Sequence, residues 1–244
     1  MISKLGYRLA IIVVVLCLVP LYFLLKHTPP DFTQFAAGAE RKREFINYLA
    51  PLVNAENSEI LEERQTARKL AAAAPKLGFY NRIKLERLLE KYDLEKFNPE
   101  KQKDWSELLK RIDEVPVALA LAQAASESGW GSSRFAREGN NYFGQWCFKK
   151  GCGLVPQHRG AGKTHEVAHF SSPEDSVRAY LLNLNQNSAY KALREIRANS
   201  KEESGNATGI QLADGLVKYS ERGDEYVREI KNLIRYNKLE PTGS

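Results

Sequence analysis

The chain has 244 residues, of which 43% are hydrophobic and 27% charged, an ordinary composition for one globular domain with an appended segment. The formal charge is +6, but Lys4, Arg8 and Lys26 fall in the first 27 residues, which hold no acid, and without them residues 28–244 carry only +3. That is too mild to mark a nucleic-acid binder, which needs clustered groups to neutralise phosphates.

Leu9 to Leu25 reads LAIIVVVLCLVPLYFLL, with no charge in it. It is at the short end for a bilayer span, and Arg8 and Lys26 can snorkel to lengthen it. Lys4 and Arg8 precede it, so residues 1–8 are expected to stay cytoplasmic and residues 9–27 to form a single transmembrane anchor. A cleaved signal peptide is the competing reading. The first small-x-small candidate, Ala37-Gly38-Ala39, lies too far past the apolar run for it, and no lipobox precedes Cys17. Either way residues 28 onward are exported. In an exported chain, Cys147 and Cys152, spaced C-x4-C, point to a small-loop disulfide. Two cysteines fall short of the four ligands of a structural zinc site.

Thr28-Pro29-Pro30-Asp31 reads as a stiff linker, and residues 28–104 as a linker followed by an N-terminal helical region. From Ala37 to about Ala73, Phe45, Tyr48, Leu49, Leu52 and Val53 recur at helical spacing; Glu56-Asn57-Ser58 interrupts the composition without a strong breaker. Ile83–Tyr92 and Trp105–Val115 read as two more amphipathic helices. Pro116 then opens an Ala-rich helix at its first turn, where proline is tolerated. That helix carries Glu127 near its C-terminal end, just before Gly129 and Gly131. The partial negative charge of last-turn carbonyls and partial burial both disfavour an ionised carboxylate, and a raised pKa is what a general acid needs. Trp130 beside it offers a face for a sugar ring. Asn140-Asn141-Tyr142-Phe143-Gly144 follows: a turn whose amides hold backbone, and whose Tyr142, like the nearby Trp146, can stack on a pyranose.

Only Trp146 to Phe170 looks unlike helix, with its glycines and short β-type runs. Inside it His165-Glu166-Val167-Ala168-His169 matches the H-E-x-x-H zinc-protease pattern. That pattern works on a helix. The stretch from Lys163 to Phe170 reads as a strand, and four extended rises put the two histidines about 13 Å apart, too far for one zinc ion. No metal and no cofactor are expected. Ser172-Pro173-Glu174-Asp175 is a helix start with its acids in the first turn, leading into Val177, Tyr180, Leu181 and Leu184. Gly223-Asp224 steps into a last helix around Tyr226, Ile230 and Ile234.

The stretch ALAQAASESGWGSSRFA, followed by NNYFG, resembles the glucosaminidase domain of bacterial cell-wall hydrolases, a branch of the lysozyme-like superfamily. The resemblance runs through GQWCFKKGCGLVPQHRG, SSPEDSVRAYLLNLN and YSERGDEYV, and covers residues 105–240. It implies a mainly α, α+β lysozyme-like fold, a helical body with one small β lobe. It implies a peptidoglycan glycoside hydrolase that cuts the β-1,4 bond after N-acetylglucosamine; with the anchor read from residues 9–27, the enzyme is expected to face the periplasm from the inner membrane. Glu127 would protonate the leaving oxygen. Glu166 would be the second carboxylate, activating water or stabilising an oxocarbenium-like transition state. Tyr219 matches a tyrosine that closes the family's groove, where its hydroxyl would orient substrate or polarise the acetamido carbonyl. A lytic transglycosylase and a non-catalytic wall-binding module are the alternatives.

Overall fold

The computed structural model describes residues 29–156 and 165–240. The expected cytoplasmic stretch (1–8) and anchor (9–27) lie outside the described residues, and among those described no helix is long and apolar enough to cross a membrane. The described residues from Phe32 to Glu240 fall in one compact unit.

This unit begins with Phe32 in a 3-10 turn (Phe32–Gln34), followed by the longest helix, α1 (Ala39–Ala73). Its buried stripe of Phe45, Leu49, Val53, Ile60, Ala67 and Leu70 recurs at helical spacing. The polar run at Glu56-Asn57-Ser58 leaves the helix unbroken, because tertiary partners satisfy it. Asn57 donates to the Val115 carbonyl at 2.8 Å and accepts from the Val115 N–H at 3.0 Å, while Glu56 pairs with Arg178 at 3.1 Å. The N-terminal helical region is thereby closed by later parts of the chain.

Helix α2 (Phe79–Lys91) starts four residues before the expected Ile83, since Phe79 and Tyr80 are exposed and add nothing to the apolar period. Helix α3 (Gln102–Arg111) stops short of the expected Val115. The residue before Pro116 is pushed out of helical conformation. The irregular link there is held by a fully buried guanidinium: Arg197 donates to the carbonyls of Lys110 (2.7 Å), Asp113 (2.9 Å) and Glu114 (3.0 Å).

Helix α4 (Val117–Ser128) follows directly from Pro116. Every residue from Ala118 to Ala125 is buried, and α1 and the C-terminal helices pack around it. A helix that is apolar on all sides belongs at the centre of a core. Burying Leu119 and Leu121 stabilises the unit by about 1.5–3 kcal/mol each.

After the short helix α5 (Arg134–Gly139) come the three strands: β1 (Trp146–Cys147), β2 (Gly153–Leu154) and β3 (Glu166–Ala168). Their order is β1-β3-β2, antiparallel throughout, with Cys147 opposite Glu166 and Val167 opposite both Trp146 and Leu154. Four further helices return to the body: α6 (Pro173–Gln186), α7 (Lys191–Ser204), α8 (Gly209–Ala213) and α9 (Asp224–Tyr236). Ser172 caps α6 by accepting from Asp175 N–H at 3.1 Å, and Thr208 with Gln211 forms a capping box on α8. A mainly helical body with one small sheet is the architecture expected from the sequence.

Candidate active site

Glu127 is the penultimate residue of α4, and the helix stops one residue later because Gly129 takes a left-handed conformation (φ 57°). Its carboxyl is half-buried. One oxygen, Oε1, accepts a hydrogen bond from the Tyr226 hydroxyl of α9 at 2.8 Å. Burial is the leading cause that pushes the Glu127 pKa above the ordinary carboxylate range, with Glu229 adding to it; the Tyr226 hydrogen bond and Arg222 oppose it. The other oxygen faces the NNYFG turn. A Cβ built on Gly144 would lie 2.9 Å from Oε2 and would push the carboxyl aside, so glycine lets this turn close over Glu127 as it stands, and its φ of +63° favours glycine as well.

The turn itself is fixed by its amides, as its composition predicts. Asn141, almost fully buried, donates to the carbonyls of Gln145 (2.8 Å) and Ala168 (2.9 Å) and accepts from Gln145 N–H (3.0 Å). Asn140, left-handed at φ 50°, reaches the Phe170 carbonyl at 3.0 Å. Two consecutive asparagines thus tie the turn to the strand β3 region, and Trp146 starts β1 two residues after Gly144.

The structure distributes the expected site residues unequally. Glu166 does not offer a free carboxylate. It is only 5% exposed, and its two oxygens accept from the backbone N–H groups of Gly151 (3.0 Å) and Gly153 (2.9 Å). Cys147 and Cys152 are joined in a disulfide, so that loop is closed by a covalent bond and pinned by Glu166. These three side chains are the one grouping of His, Cys, Asp or Glu among the described residues whose donor atoms lie within 4.8 Å of one another, and its two sulfurs are taken by the disulfide. The H-E-x-x-H segment is extended, as the sequence predicts: Glu166 to Ala168 form the central strand, and the His165 ring lies 3.8 Å from the Trp146 ring.

Of the three aromatics expected to meet sugar, only Trp146 is well exposed, at 53%. Tyr142 corrects the sequence reading: it is 1% exposed, packs towards Phe45 of α1 and has no face left for a ligand. Alternation within a five-residue turn does not reveal which aromatic points inward. Trp130 is half-buried, edge-on to Phe45, and carries the Lys42 ammonium 5.0 Å from its ring centre.

Tyr219 reaches the site, but its hydroxyl donates to the Phe143 carbonyl at 2.9 Å, fixing the NNYFG turn rather than projecting towards a substrate. Its ring stacks parallel on that of Tyr226, with centroids 5.5 Å apart. The residue that touches the acid is therefore Tyr226, which sequence periodicity marks only as a core position of the last helix. The one available signal was its polar tip on a helix face otherwise carrying Ile230 and Ile234.

Residues 102–239 match the glucosaminidase family model, described as mannosyl-glycoprotein endo-beta-N-acetylglucosaminidase. Protein bax of Escherichia coli (strain K12) is 31% identical over 200 residues, covering 81% of this chain and 70% of that protein. No solved structure matches. The family match spans α3 to the end of α9, and so includes the acid, the turn that closes over it, the β lobe and the tyrosine pair: the chain belongs to the glucosaminidase family of glycosidases.

Proposed function

We propose that the chain hydrolyses peptidoglycan glycan strands at the β-1,4 bond after N-acetylglucosamine, with Glu127 as the general acid. The observation that carries this reading is the setting of Glu127: a carboxyl at the end of a core helix, held by one neutral phenol, with burial raising its pKa. The nearby cation, Arg222, is engaged by Glu229 and does not neutralise the acid directly. A carboxyl so placed keeps its proton to higher pH and can hand it to a leaving sugar oxygen. Trp146, exposed on β1 beside the turn over the acid, offers the face for a pyranose.

Glu166, with both oxygens engaged by backbone amides, is a positioning residue for the loop between β1 and β2. The second catalytic element then falls to the substrate. The 2-acetamido group of N-acetylglucosamine can attack its own anomeric carbon as Glu127 protonates the leaving oxygen, a route that some glycosidases use in place of a second carboxylate. The same observation favours one other reading, a lytic transglycosylase, in which a sugar hydroxyl of the strand attacks and again no second carboxylate is required. The two differ in their products. Mass spectrometry of fragments from digested peptidoglycan is expected to show reducing N-acetylglucosamine ends; 1,6-anhydro ends would replace the hydrolase reading with the transglycosylase. Unchanged fragment release by folded Glu127→Gln would remove the acid assignment, and no release by the unaltered protein would leave a wall-binding module.

We also place this unit in the periplasm, tethered by residues 9–27. Membrane fractionation tests the tether: a mature chain that starts beyond residue 37 and washes off the membrane would favour the cleaved signal instead.

A further inference from the structure

Glu127 is the end of a hydrogen-bond chain that runs back into the core. On α6 the hydroxyl of Tyr180, fully buried, donates to Gln123 Oε1 at 2.7 Å. Gln123, 0% exposed, donates through Nε2 to the Tyr226 oxygen at 3.0 Å. Tyr226 donates to Glu127 Oε1 at 2.8 Å. Gln123 and Glu127 are four residues apart on α4 and share a face, so α9 can bring one phenol against both.

The inventory of protons gives this chain a direction. A phenol has one O–H; an amide has an acceptor on one side and donors on the other. With Tyr180 donating to the amide oxygen, only the amino group of Gln123 can meet Tyr226. With that amino group donating to it, Tyr226 has its own proton to give, and the acceptor in line is Glu127 Oε1. The same order follows from the other end, since an ionised Glu127 only accepts. Oε1 is therefore occupied by an incoming proton in both states of the acid.

We infer that Gln123 is a positioning residue that orients the Tyr226 phenol, so that the transferable proton of Glu127 is carried on Oε2, the oxygen beside Gly144, and not on Oε1. This rests on the reading of Glu127 as the acid and extends it: the fold determines which oxygen is the acid. Oε2 lies against the turn that leads into β1 and the exposed Trp146, whereas Oε1 points back into the helical body.

The groups facing Glu127 leave its titration readable. They are Tyr226 and Glu229 of α9, Arg222 just before it, Tyr180 of α6, Tyr190 in the turn after α6, and Tyr219. Burial raises all four phenols above their ordinary value, so they stay neutral across the working range. Arg222 is paired with Glu229.

The test uses the full chain with two substitutions that do not touch Glu127. Gln123→Met keeps the volume and removes both amide groups. Tyr180→Phe removes one hydroxyl and frees the amide to turn its oxygen towards Tyr226; it is the milder change and keeps the test alive should the first variant not fold. In both, Tyr226 becomes able to accept the proton of a neutral Glu127, which stabilises the neutral form and moves the proton to Oε1. The Glu127 carboxyl midpoint, followed by carbon-13 NMR, is expected to rise by about half to one pH unit, the worth of one hydrogen bond. The alkaline limb of peptidoglycan digestion should rise with it while kcat falls roughly tenfold, part of what a general acid contributes, and KM holds. A lower rate with an unmoved midpoint and limb in a folded variant would mean a merely structural role and overturn the proposal. Wild-type activity in Glu127→Gln is a separate result: it would sink the acid assignment and the proposal's catalytic part, even with the NMR midpoint displaced.

Discussion

Two carboxylates separate the two regions of this molecule. Glu127 sits at the edge of the helical body, where α4, α6 and α9 surround it with phenols and an amide and leave it one neutral donor. Glu166 sits in the β lobe, where two backbone N–H groups hold it against a disulfide-closed loop. Both are glutamates on regular elements, and the family resemblance implies a catalytic role for each. What divides their roles is the supply of donors. A carboxyl given one neutral donor and partial burial retains its proton to higher pH; a carboxyl given two amides organises the backbone that supplies them.

The strongest way to break this contrast is to make the same change at both positions. Glu127→Gln removes the transferable proton and keeps the shape, so kcat is expected to fall by about 10²–10⁴, the range a general acid contributes. Glu166→Gln leaves one carbonyl for two amides and should weaken the loop while leaving kcat within several-fold of the original. Steady-state digestion of peptidoglycan by both variants decides it. An equal loss at Glu166 would restore it as a second catalytic carboxylate.

Glu166→Ala goes further, leaving the Gly151 and Gly153 N–H groups without their acceptor, at about 1–3 kcal/mol for each one that stays dry. Hydrogen exchange should show the loss in the β lobe, with α4 and α9 still protected. Uniform deprotection across the body would contradict a local role. Reduction of the Cys147–Cys152 bond acts on the same loop from its other end, and a short loop loses on the order of 2 kcal/mol by chain entropy. Expected is a rise in KM with little change in kcat, since Trp146 borders the loop and Glu127 does not.

The helical body was largely legible because its signals are local. The Ala-rich run of α4, the glycine after it and the Ser-Pro-Glu-Asp start of α6 each carry their own conformational reason. Helix α7 was not read from the sequence, because part of its buried face is Arg194 and Arg197, which hydropathy counts as surface. Their burial depends on carbonyls from Lys110, Asp113, Glu114, Leu184 and Asn187, far off in sequence or in the adjoining turn. The site divides in the same way. Glu127 was visible from its own helix, as was the extended form of the H-E-x-x-H segment. That Tyr226 meets the Glu127 carboxyl while Tyr219 holds the turn was not, because which hydroxyl reaches Glu127 depends on how α9 packs against α4. Tyr142 and Trp146 likewise share a composition and differ only in which side of the turn they leave.

The smallest effect has the opposite sign to the first and sharpens the contrast without any substrate. A carboxyl whose folded pKa is raised weakens the fold when it is ionised. Below its unfolded value the group is protonated in both states and contributes nothing. As pH climbs through the folded value, folding has to keep a half-buried charge, and stability falls. Glu127→Gln deletes that charge and still offers Tyr226 a carbonyl oxygen to donate to. The variant should therefore melt at or above the unaltered protein at neutral pH, and the gap should close as pH drops through the raised folded pKa towards the ordinary carboxylate range. In a chain of this size 1 kcal/mol is about 2–4 °C, so thermal unfolding at a series of pH values resolves it. Glu166→Gln should show no such gain at any pH, because there the substitution replaces one of two engaged acceptor oxygens with an amino group that faces a backbone N–H. A stabilising Glu166→Gln, or a Glu127→Gln that destabilises more as pH rises, would reverse the assignment of the two carboxylates.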